Sequence, residues 1–316
     1  MAKNSSIKIK ILSTPQRHKV TNTIEKLLAG MELEISARTR SLKKPGRADF
    51  HLGIVVPTLE EIDMLDEFAR AQNQKNRKLI PVLPPDVTLP AVVKLLGNDN
   101  IDQIILEKFN WKNDLRTIIG ILCTGDIFGM EKYLSDEDEV FYLRFHDYKG
   151  RQYVLDKIQT VAKDMKLRRM RREHAVQAGE EMIMNALYNA PRKEDGTMMF
   201  GSIDPHKRVN MDSPKPVSLR YSQTDEGLFM SVRDRFGALD KKTTLEYLNK
   251  CIHSDEQIDR KTIGAGLGIF LTVSRVQKYI VNVAPTIATE VIVNLRQIRE
   301  FGVPCTIAFF THGGTK

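Results

Sequence analysis

Three short fragments occur in a fixed order between residues 181 and 268 of this 316-residue chain. They are Glu181-Met-Ile-Met-Asn185-Ala186, Val232-Arg-Asp234-Arg-Phe-Gly237-Ala238 and Gly264-Ala-Gly266-Leu-Gly268. Each fragment alone is common, because a Glu four residues before an Asn fits many helices and closely spaced glycines occur in many loops. Their joint presence in this order is the most informative feature of the sequence.

The composition is that of an ordinary globular protein with an excess of positive charge. The chain has 41% hydrophobic residues, 28% charged residues and a formal net charge of +8, and its length allows two domains with separate cores. The amino terminus lacks the apolar core of a signal peptide, and the longest apolar stretch, residues 118–123, is far shorter than the roughly 20 residues of a spanning helix. We therefore expect a cytoplasmic protein with no membrane partner, in which Cys123, Cys251 and Cys305 stay reduced.

The densest basic segment covers residues 166–172, at the start of a predicted helix. A solvated helical face is the first interpretation of such a run, and a docking surface for an acidic partner is the second. A nucleic-acid interface ranks third and is not expected, because neither a recognition motif nor interleaved aromatic residues accompany the charge.

Strand and helix patterns alternate in the first 134 residues. Strands are predicted at residues 7–12, 52–56, 79–83 and 101–106, and helices at 15–29, 59–70, 92–96 and 113–122. Pro81 predicts an edge strand or the end of a strand, since proline lacks the N–H group that a central strand uses. The alternation predicts a doubly wound α/β domain, in which helices cover both faces of a parallel sheet.

This order resembles a response-regulator receiver domain, and Lys108-Phe109 after the last strand resembles the lysine-containing loop of that family. The acidic residues of a receiver are missing. The first strand ends in Leu12-Ser13-Thr14, and Ile54-Val55-Val56-Pro57 stands where the phosphoacceptor aspartate would lie. Without carboxylates, Mg²⁺ has no ligands there. The resemblance therefore implies a receiver-like domain over residues 1–134 that lacks the phosphoacceptor Asp, a pseudo-receiver for dimerisation or partner binding.

A second domain is predicted over residues 135–316, after the acidic segment at 135–139. Strands are predicted at residues 140–145, 228–233, 279–283, 290–295 and 305–310, and helices at 151–165, 168–190 and 269–277. Pro191 ends the helix that contains Glu181 and Asn185. These elements predict an α+β domain in which a mixed sheet carries helices on one face.

The first two fragments supply polar side chains suited to a nucleotide. Glu181 and Asn185 lie one turn apart on one helix face. The amide oxygen of Asn185 can ligate Mg²⁺ among phosphates, and the Glu181 carboxylate can orient or deprotonate an attacking hydroxyl or water. Asp234 follows a predicted strand, where it can accept a hydrogen bond from the exocyclic amine of adenine. An exposed Glu/Asn pair and an Asp in a turn are the purely structural alternatives.

The third fragment supplies glycines directly before the predicted helix at 269–277. They are Gly264, Gly266 and Gly268. Glycines at this place let backbone N–H groups and the helix dipole approach phosphate oxygens. The polar, charged stretch between Asp240 and Ile263 is then expected to be a mobile lid over the nucleotide.

In this order the fragments resemble the N, G1 and G2 boxes of the GHKL (Bergerat-fold) ATPase superfamily, which includes histidine kinases and anti-sigma-factor serine kinases. The resemblance covers roughly the carboxyl-terminal half of the chain. It implies that Asn185 ligates Mg²⁺ and that Glu181 is the general base. It also implies a set of ATP-binding residues: Asn185, Asp234, Gly237, Gly264, Gly266 and Gly268. The G1 box departs from the family spacing Asp-x-Gly-x-Gly, because Phe236 stands at the first glycine position and Ala238 at the last.

Two functions of different classes follow from this resemblance. The first is an ATP-dependent protein serine/threonine kinase of the anti-sigma-factor type, which acts on a separate partner protein in signal transduction. A histidine kinase is disfavoured, because His174 lies on the same helix as Glu181 and no second long helical hairpin precedes it. The second is a non-catalytic, ATP-gated protein-binding module in a two-component or partner-switching pathway. ATP hydrolysis that drives a conformational cycle is a third option, and homodimerisation stays open.

Overall fold

A computed structural model of the chain describes residues 8–31, 33–39, 50–73, 77–200, 203, 207, 212–253, 267–297 and 302–313. The chain divides into two compact units. The first comprises Met1–Asp126 with Cys305–Ala308, and the second comprises Ile127–Pro304 with Phe309–Lys316. Residues 127–134, which the sequence assigned to the first domain, therefore belong to the second unit. Among the described helices, none has both the length and the apolar character needed to cross a membrane.

A parallel sheet forms the centre of the first unit. Its strands are β1 (Lys8–Ser13), β2 (Glu34–Thr39), β3 (Leu52–Val56), β4 (Lys78–Leu83) and β5 (Gln103–Leu106). Its helices are α1 (His18–Leu28), α2 (Ile62–Asn73), α3 (Leu89–Leu96) and α4 (Trp111–Thr124). The strand order is β2-β1-β3-β4-β5, one of the two common doubly wound orders. Helix α1 packs with α4 and α2 packs with α3, as expected when helices cover both faces of a sheet.

The predicted elements of this unit agree with the observed ones within a few residues, with two exceptions. Strand β2 was not predicted, because its residues 34–37 are half-buried or exposed and show no apolar periodicity. The placement of Pro81 in an edge strand or at a strand end was wrong, since β4 lies between β3 and β5 and Pro81 lies inside its range, Lys78–Leu83. Proline is tolerated there because the pairing of β4 with β5 is confined to Val82 and Leu83.

The last strand, β11 (Thr306–Thr311), begins in the first unit. Its residues Thr306–Ala308 pair antiparallel with β5, and the Thr306 hydroxyl donates a hydrogen bond to the buried carboxylate of Asp114 in α4. The sequence predicts a strand at this place but assigns it to the second domain. No local signal reveals that β11 pairs with β5, a strand far away in the chain.

Antiparallel strand pairs form the sheet of the second unit. Its further strands are β6 (Phe141–Phe145), β7 (Val217–Thr224), β8 (Gly227–Arg233), β9 (Lys278–Ala284) and β10 (Ala288–Leu295). Its helices are α5 (Tyr148–Asp164), α6 (Arg169–Met184), α7 (Lys241–His253) and α8 (Leu267–Val273). The order β6-β7-β8-β10-β9 is antiparallel at every one of these described pairs. The mixed sheet predicted for this domain is thus antiparallel here, and β7 was not predicted.

The stretch that was expected to be a lid is helical in its first part. Helix α7 occupies Lys241–His253, and the Asp240 carboxylate accepts a hydrogen bond at 2.8 Å from a backbone N–H in its first turn. Leu245 and Leu248 are buried, so an apolar stripe is present among the charged residues. The remainder of the expected lid, residues 254–263, lies outside the described residues.

Alternation along β10 divides its side chains between the two faces of the sheet. Val291 lies on the same side as Thr289 and borders a space that Glu181 of α6 also lines. Glu290 and Asn294 lie on the opposite face, and both are buried. The face that carries the helices therefore holds the candidate site, and the other face holds a buried polar layer.

Gly53→Ala should destabilise the first unit by about 1–3 kcal/mol, because the new methyl group overpacks the core. An ideal Cβ at Gly53 would lie 2.7 Å from Leu79 Cδ2 and 2.9 Å from the Phe50 ring. Gly120→Ala in α4 is the control, since a Cβ there meets nothing within 4 Å and alanine favours a helix by about 0.5–1 kcal/mol. Urea unfolding followed by circular dichroism should separate the two variants, and equal midpoints would contradict the packing described.

Candidate functional site

Helix α6 and the turn that follows it bring Glu181 and Asn185 into contact. Asn185 Nδ2 donates a hydrogen bond to Glu181 Oε1 at 2.9 Å, and Asn189 Nδ2 donates one to Asn185 Oδ1 at 2.7 Å. The helix widens into a π turn over Asn185–Asn189, directly before the chain reaches Pro191, and such turns are frequent at functional sites. A carbonyl oxygen has two lone pairs, so Asn185 Oδ1 keeps one acceptor position for a cation.

Gly268, near the start of α8, packs directly against the Glu181 carboxyl group. An ideal Cβ at Gly268 would lie 1.8 Å from Glu181 Oε2, so no side chain fits there while the carboxyl keeps its position. The structure therefore brings part of the third fragment to the first. It also gives Gly268 a steric role that the sequence did not indicate. Gly264 and Gly266 lie outside the described residues.

The Glu181 carboxyl group is largely withdrawn from solvent. Burial raises its pKa, an effect that the Asn185 hydrogen bond opposes and the nearby charge of Glu180 reinforces. Glu180 itself forms an ion pair with Arg151 of α5. Adjacent positions on a helix point about 100° apart, which is why one acid is held in an ion pair and the other meets Asn185. A carboxylate with a raised pKa is a better proton acceptor than an exposed one.

Asp234, directly after β8, is buried and held by the backbone around it. Its Oδ1 atom accepts hydrogen bonds from the N–H groups of Phe236 at 2.7 Å, Gly237 at 3.2 Å and Thr289 at 3.3 Å. Burial raises the pKa of Asp234, and these N–H groups oppose the effect. Because all three bonds end on Oδ1, the Oδ2 atom is not committed to the turn.

Gly237 makes the turn after Asp234 sterically feasible. Its φ is +65°, and an ideal Cβ would lie 2.2 Å from the carbonyl oxygen of Ala284. Phe236, at the first glycine position of the family spacing, is buried, with Lys215 Nζ 5.0 Å from the centre of its ring. The turn after Asp234 is thus built from a buried ring followed by a glycine that the backbone requires.

Thr289 is a candidate site residue that the sequence reasoning missed. Its carbonyl oxygen accepts a hydrogen bond from the Asp234 N–H at 2.9 Å, so the two residues are joined in both directions. The Thr289 Oγ1 atom is buried and has no hydrogen-bond partner among the described residues. A buried hydroxyl without a partner costs about 1–3 kcal/mol, unless a ligand or water satisfies it. A polar ligand atom next to Asp234 therefore fits this hydroxyl.

The space between α6 and the sheet is narrow. It is a cavity of about 10 Å³, lined among others by Glu181, Asn185, Leu239, Ile269, Tyr279 and Val291. That volume admits about one water at most. Burial and the neighbouring Glu181 raise the pKa of Tyr279, so its hydroxyl stays neutral. A cleft of about 210 Å³ between α6 and α8 also reaches Glu181. A nucleotide would require the narrower space to widen.

His174 lies in α6 two turns before Glu181, as the sequence predicts. Burial is the main cause that lowers its pKa to about 4, and the charges of Arg275 and Arg171 add to the effect. The imidazole is therefore neutral near neutral pH. Because α6 holds both His174 and Glu181, the distance between their backbone positions is fixed.

The basic segment at 166–172 is not uniformly solvated. Arg171 is buried and donates a hydrogen bond to the Arg275 carbonyl oxygen at 3.1 Å, and burial lowers its pKa. Arg169 is exposed and pairs with Glu173 at 2.9 Å. The segment therefore combines a structural arginine with exposed cations.

At the carboxyl edge of the first unit's sheet, the structure places hydroxyl groups and an ion pair. The hydroxyls of Ser13, the last residue of β1, and of Thr14 are buried and have no hydrogen-bond partner in the described part of the chain. Arg17 pairs with Glu107 at 2.6 Å, directly before Lys108. Within the described ranges, no group of three or more His, Cys, Asp or Glu side chains could hold a metal ion.

No protein-family model matches this chain, and no curated protein shows significant similarity to it. A functional interpretation therefore depends on the residues of the three fragments and on the geometry just described.

Glu181→Gln should raise the thermal midpoint near neutral pH. Glutamine keeps an acceptor for Asn185 Nδ2 and removes a carboxyl group whose ionisation burial disfavours. The folded-state pKa of Glu181 lies above the usual value of 4.5, so above that pH the folded protein binds more protons than the unfolded chain, and wild-type stability falls as the pH rises. The higher thermal midpoint of Glu181→Gln relative to wild type should therefore disappear below about pH 4. A lower midpoint than wild type near neutral pH would contradict the partial burial of this carboxyl.

Proposed function

We propose that the second unit binds ATP with Mg²⁺ and transfers a phosphoryl group to a serine or threonine of a separate partner protein. One observation carries this proposal. The half-buried Glu181 carboxyl lies between Asn185 and Gly268, so residues from two of the three sequence fragments converge on one proton-accepting group. This convergence is what the resemblance to anti-sigma-factor kinases of the GHKL superfamily implies for the N and G2 boxes. Bound ATP would supply the transferable phosphoryl group.

Glu181 and Asn185 have complementary roles in this proposal. Glu181 accepts the proton of the attacking hydroxyl, and its raised pKa, caused by burial, favours that role. Asn185 directs its amide N–H toward Glu181, which leaves Oδ1 as the group that would hold Mg²⁺. The contact also orients the carboxylate, because Oε1 is held at 2.9 Å from Asn185 Nδ2.

Asp234 and Thr289 together would recognise the adenine base. Asp234 Oδ1 is occupied by backbone N–H groups, so Oδ2 is the atom that would accept the exocyclic amine of adenine. The buried Thr289 Oγ1 supplies a neighbouring group that can donate or accept a hydrogen bond. Guanine presents a carbonyl where adenine has its amine, so the same carboxylate would select against GTP.

A non-catalytic, ATP-gated binding module is the second candidate function. The narrow cavity of about 10 Å³ favours it, because a site that must widen for its ligand couples binding to a conformational change. The buried Phe236 favours the binding module as well, because it replaces a glycine of the kinase family's G1 box. ATP hydrolysis without a partner is the third candidate, and phosphate release from the isolated protein would distinguish it.

The first unit would serve partner binding or homodimerisation as a pseudo-receiver. Its strand order β2-β1-β3-β4-β5 supports a receiver-like domain. The Arg17–Glu107 ion pair occupies the carboxyl edge of the sheet, where a receiver has its acidic residues. A partner protein in a two-component or partner-switching pathway would then read the nucleotide state of the second unit.

Asp234→Asn should weaken the binding of a non-hydrolysable ATP analogue with Mg²⁺ by about tenfold or more, as expected when a hydrogen bond to a charged group is lost. Asparagine keeps an oxygen for the backbone N–H groups but replaces the other acceptor by a donor. Asp147→Asn is the matched control, because Asp147 also accepts a backbone N–H, from Gly150 at 2.7 Å, at the start of α5. Calorimetric titration should show wild-type affinity for the control. Equal affinities of Asp234→Asn and wild type would remove Asp234 from the site.

Glu181→Gln should lower phosphoryl transfer to a partner protein by about 100-fold or more, the range of a general base. Glu180→Gln is the control, because Glu180 is adjacent but bound to Arg151. Proteins retained by the immobilised chain with and without ATP would provide the candidate acceptors for a labelled-ATP assay. Transfer that survives in Glu181→Gln would reject the catalytic role. Retention of partners only with ATP, without any transfer, would favour the binding module.

A further inference from the structure

Residues 127–133, which we call the connector, pack on the face of the second unit's sheet opposite the candidate nucleotide site. Met130 is fully buried, and the Phe128 ring lies 4.1 Å from the Arg233 guanidinium. The Gly129 N–H donates a hydrogen bond to Glu290 Oε2 at 2.7 Å. The connector is thus held by the two strands β8 and β10.

Glu290 is the centre of this attachment. Its side chain is buried, and Oε2 also accepts a hydrogen bond from Asn282 Nδ2 of β9 at 3.0 Å. Its Oε1 atom accepts one from the Ser231 hydroxyl of β8 at 2.8 Å. A buried carboxylate needs hydrogen bonds in place of its lost hydration. The backbone N–H of Gly129 is one of the three that replace it, so this acid and the docked connector stabilise each other.

A second contact holds the later part of the connector, at Glu131. Glu131 pairs with Arg220 of β7 at 2.6 Å, and both side chains are partly exposed. Gly129 has a φ of +106°, a conformation that L side chains rarely adopt. The connector therefore follows a defined path across β7, β8 and β10.

The residues that hold the connector are chain neighbours of the residues that form the candidate adenine site. Arg233 is the last residue of β8 and directly precedes Asp234, and Glu290 follows Thr289 on β10. Arg233 and Glu290 are register partners, and alternation places their side chains on the face opposite Thr289. Any shift of β8 against β10 would change both sites together.

We propose that Glu290 and Arg233 are positioning residues through which docking of the connector and binding of ATP at Asp234 favour each other. This inference rests on the proposed ATP site. The connector lies directly after the first unit in the chain. If its docking and ATP binding favour each other, a partner protein that detaches the connector from the sheet would lower the affinity for ATP. By linkage, bound ATP would hold the connector more tightly by the same factor.

Two measurements on the full chain test this coupling. Hydrogen exchange of the peptide covering residues 127–133 should slow when the ATP analogue with Mg²⁺ is added, because the Gly129 N–H is one of the groups held by Glu290. Phe128→Ala should weaken binding of the same analogue by about fivefold or more. Phe141→Ala is the matched control, because it removes a half-exposed ring that stacks on Tyr221 at 5.0 Å and lies outside the connector. It should bind the analogue like wild type.

Glu131→Gln is a second connector variant, and it should weaken binding in the same direction by a smaller factor, since its ion pair is partly exposed. Thermal midpoints of all variants show whether they are folded. Two outcomes would overturn the coupling and leave the ATP site intact. In the first, the wild type binds the ATP analogue but hydrogen exchange of the connector does not change. In the second, Phe128→Ala and Phe141→Ala bind the analogue with equal affinity. Absence of binding to the wild type would reject the proposed function and this inference together.

Discussion

The antiparallel pairing of β8 with β10 is the constraint on which the second unit's candidate site depends. In that pairing Arg233 faces Glu290, and Asp234 is joined to Thr289 by hydrogen bonds in both directions. A shift of one residue would exchange the two faces of β10, because side chains alternate along a strand. Thr289 would then leave the helix-bearing face, and Glu290 would be buried without the groups that now hydrogen-bond to it.

Among the described residues of this unit, Asp234 and Glu290 are buried and Glu181 is half-buried, and the structure compensates these acids unequally. Asp234 receives three backbone N–H groups, and Glu290 receives one backbone N–H and two side-chain donors. Glu181 receives one described hydrogen bond, from Asn185, and burial raises its pKa. Burial of a carboxylate with few hydrogen bonds lowers the stability of the folded protein. It also raises the pKa of the carboxyl group, which makes the carboxylate a more effective base. Burial raises the pKa of Asp234 as well, so the contrast lies in the number of hydrogen bonds. The single described partner of Glu181 fits its proposed role as a base, whereas Asp234 Oδ1 and both carboxylate oxygens of Glu290 are committed to structural bonds.

The features that could be predicted from the sequence were those that depend on residues close together in the chain. Most helices and strands follow from local periodicity, and the helix that joins Glu181 to Asn185 follows from spacing alone. Strand β2 was missed because an exposed edge strand lacks that periodicity. Helix α7 was missed because charged residues concealed buried Leu245 and Leu248. The candidate site residues Glu181, Asn185 and Asp234 were likewise chosen by residue type and spacing, whereas Thr289 became a candidate only when β10 was paired with β8.

The sequence by itself determined the alternation of elements in the first unit, the helical Glu/Asn pair and the position of Asp234 after a strand. These are properties of neighbouring residues, governed by backbone geometry and spacing. Only the tertiary structure decided that Gly268 contacts the Glu181 carboxyl, that Gly237 approaches the Ala284 carbonyl oxygen and that Thr306 pairs with the first unit. It also decided that the connector docks on Glu290. The physical reason is that close approach and burial are set by segments distant in the chain, and no local pattern carries that information.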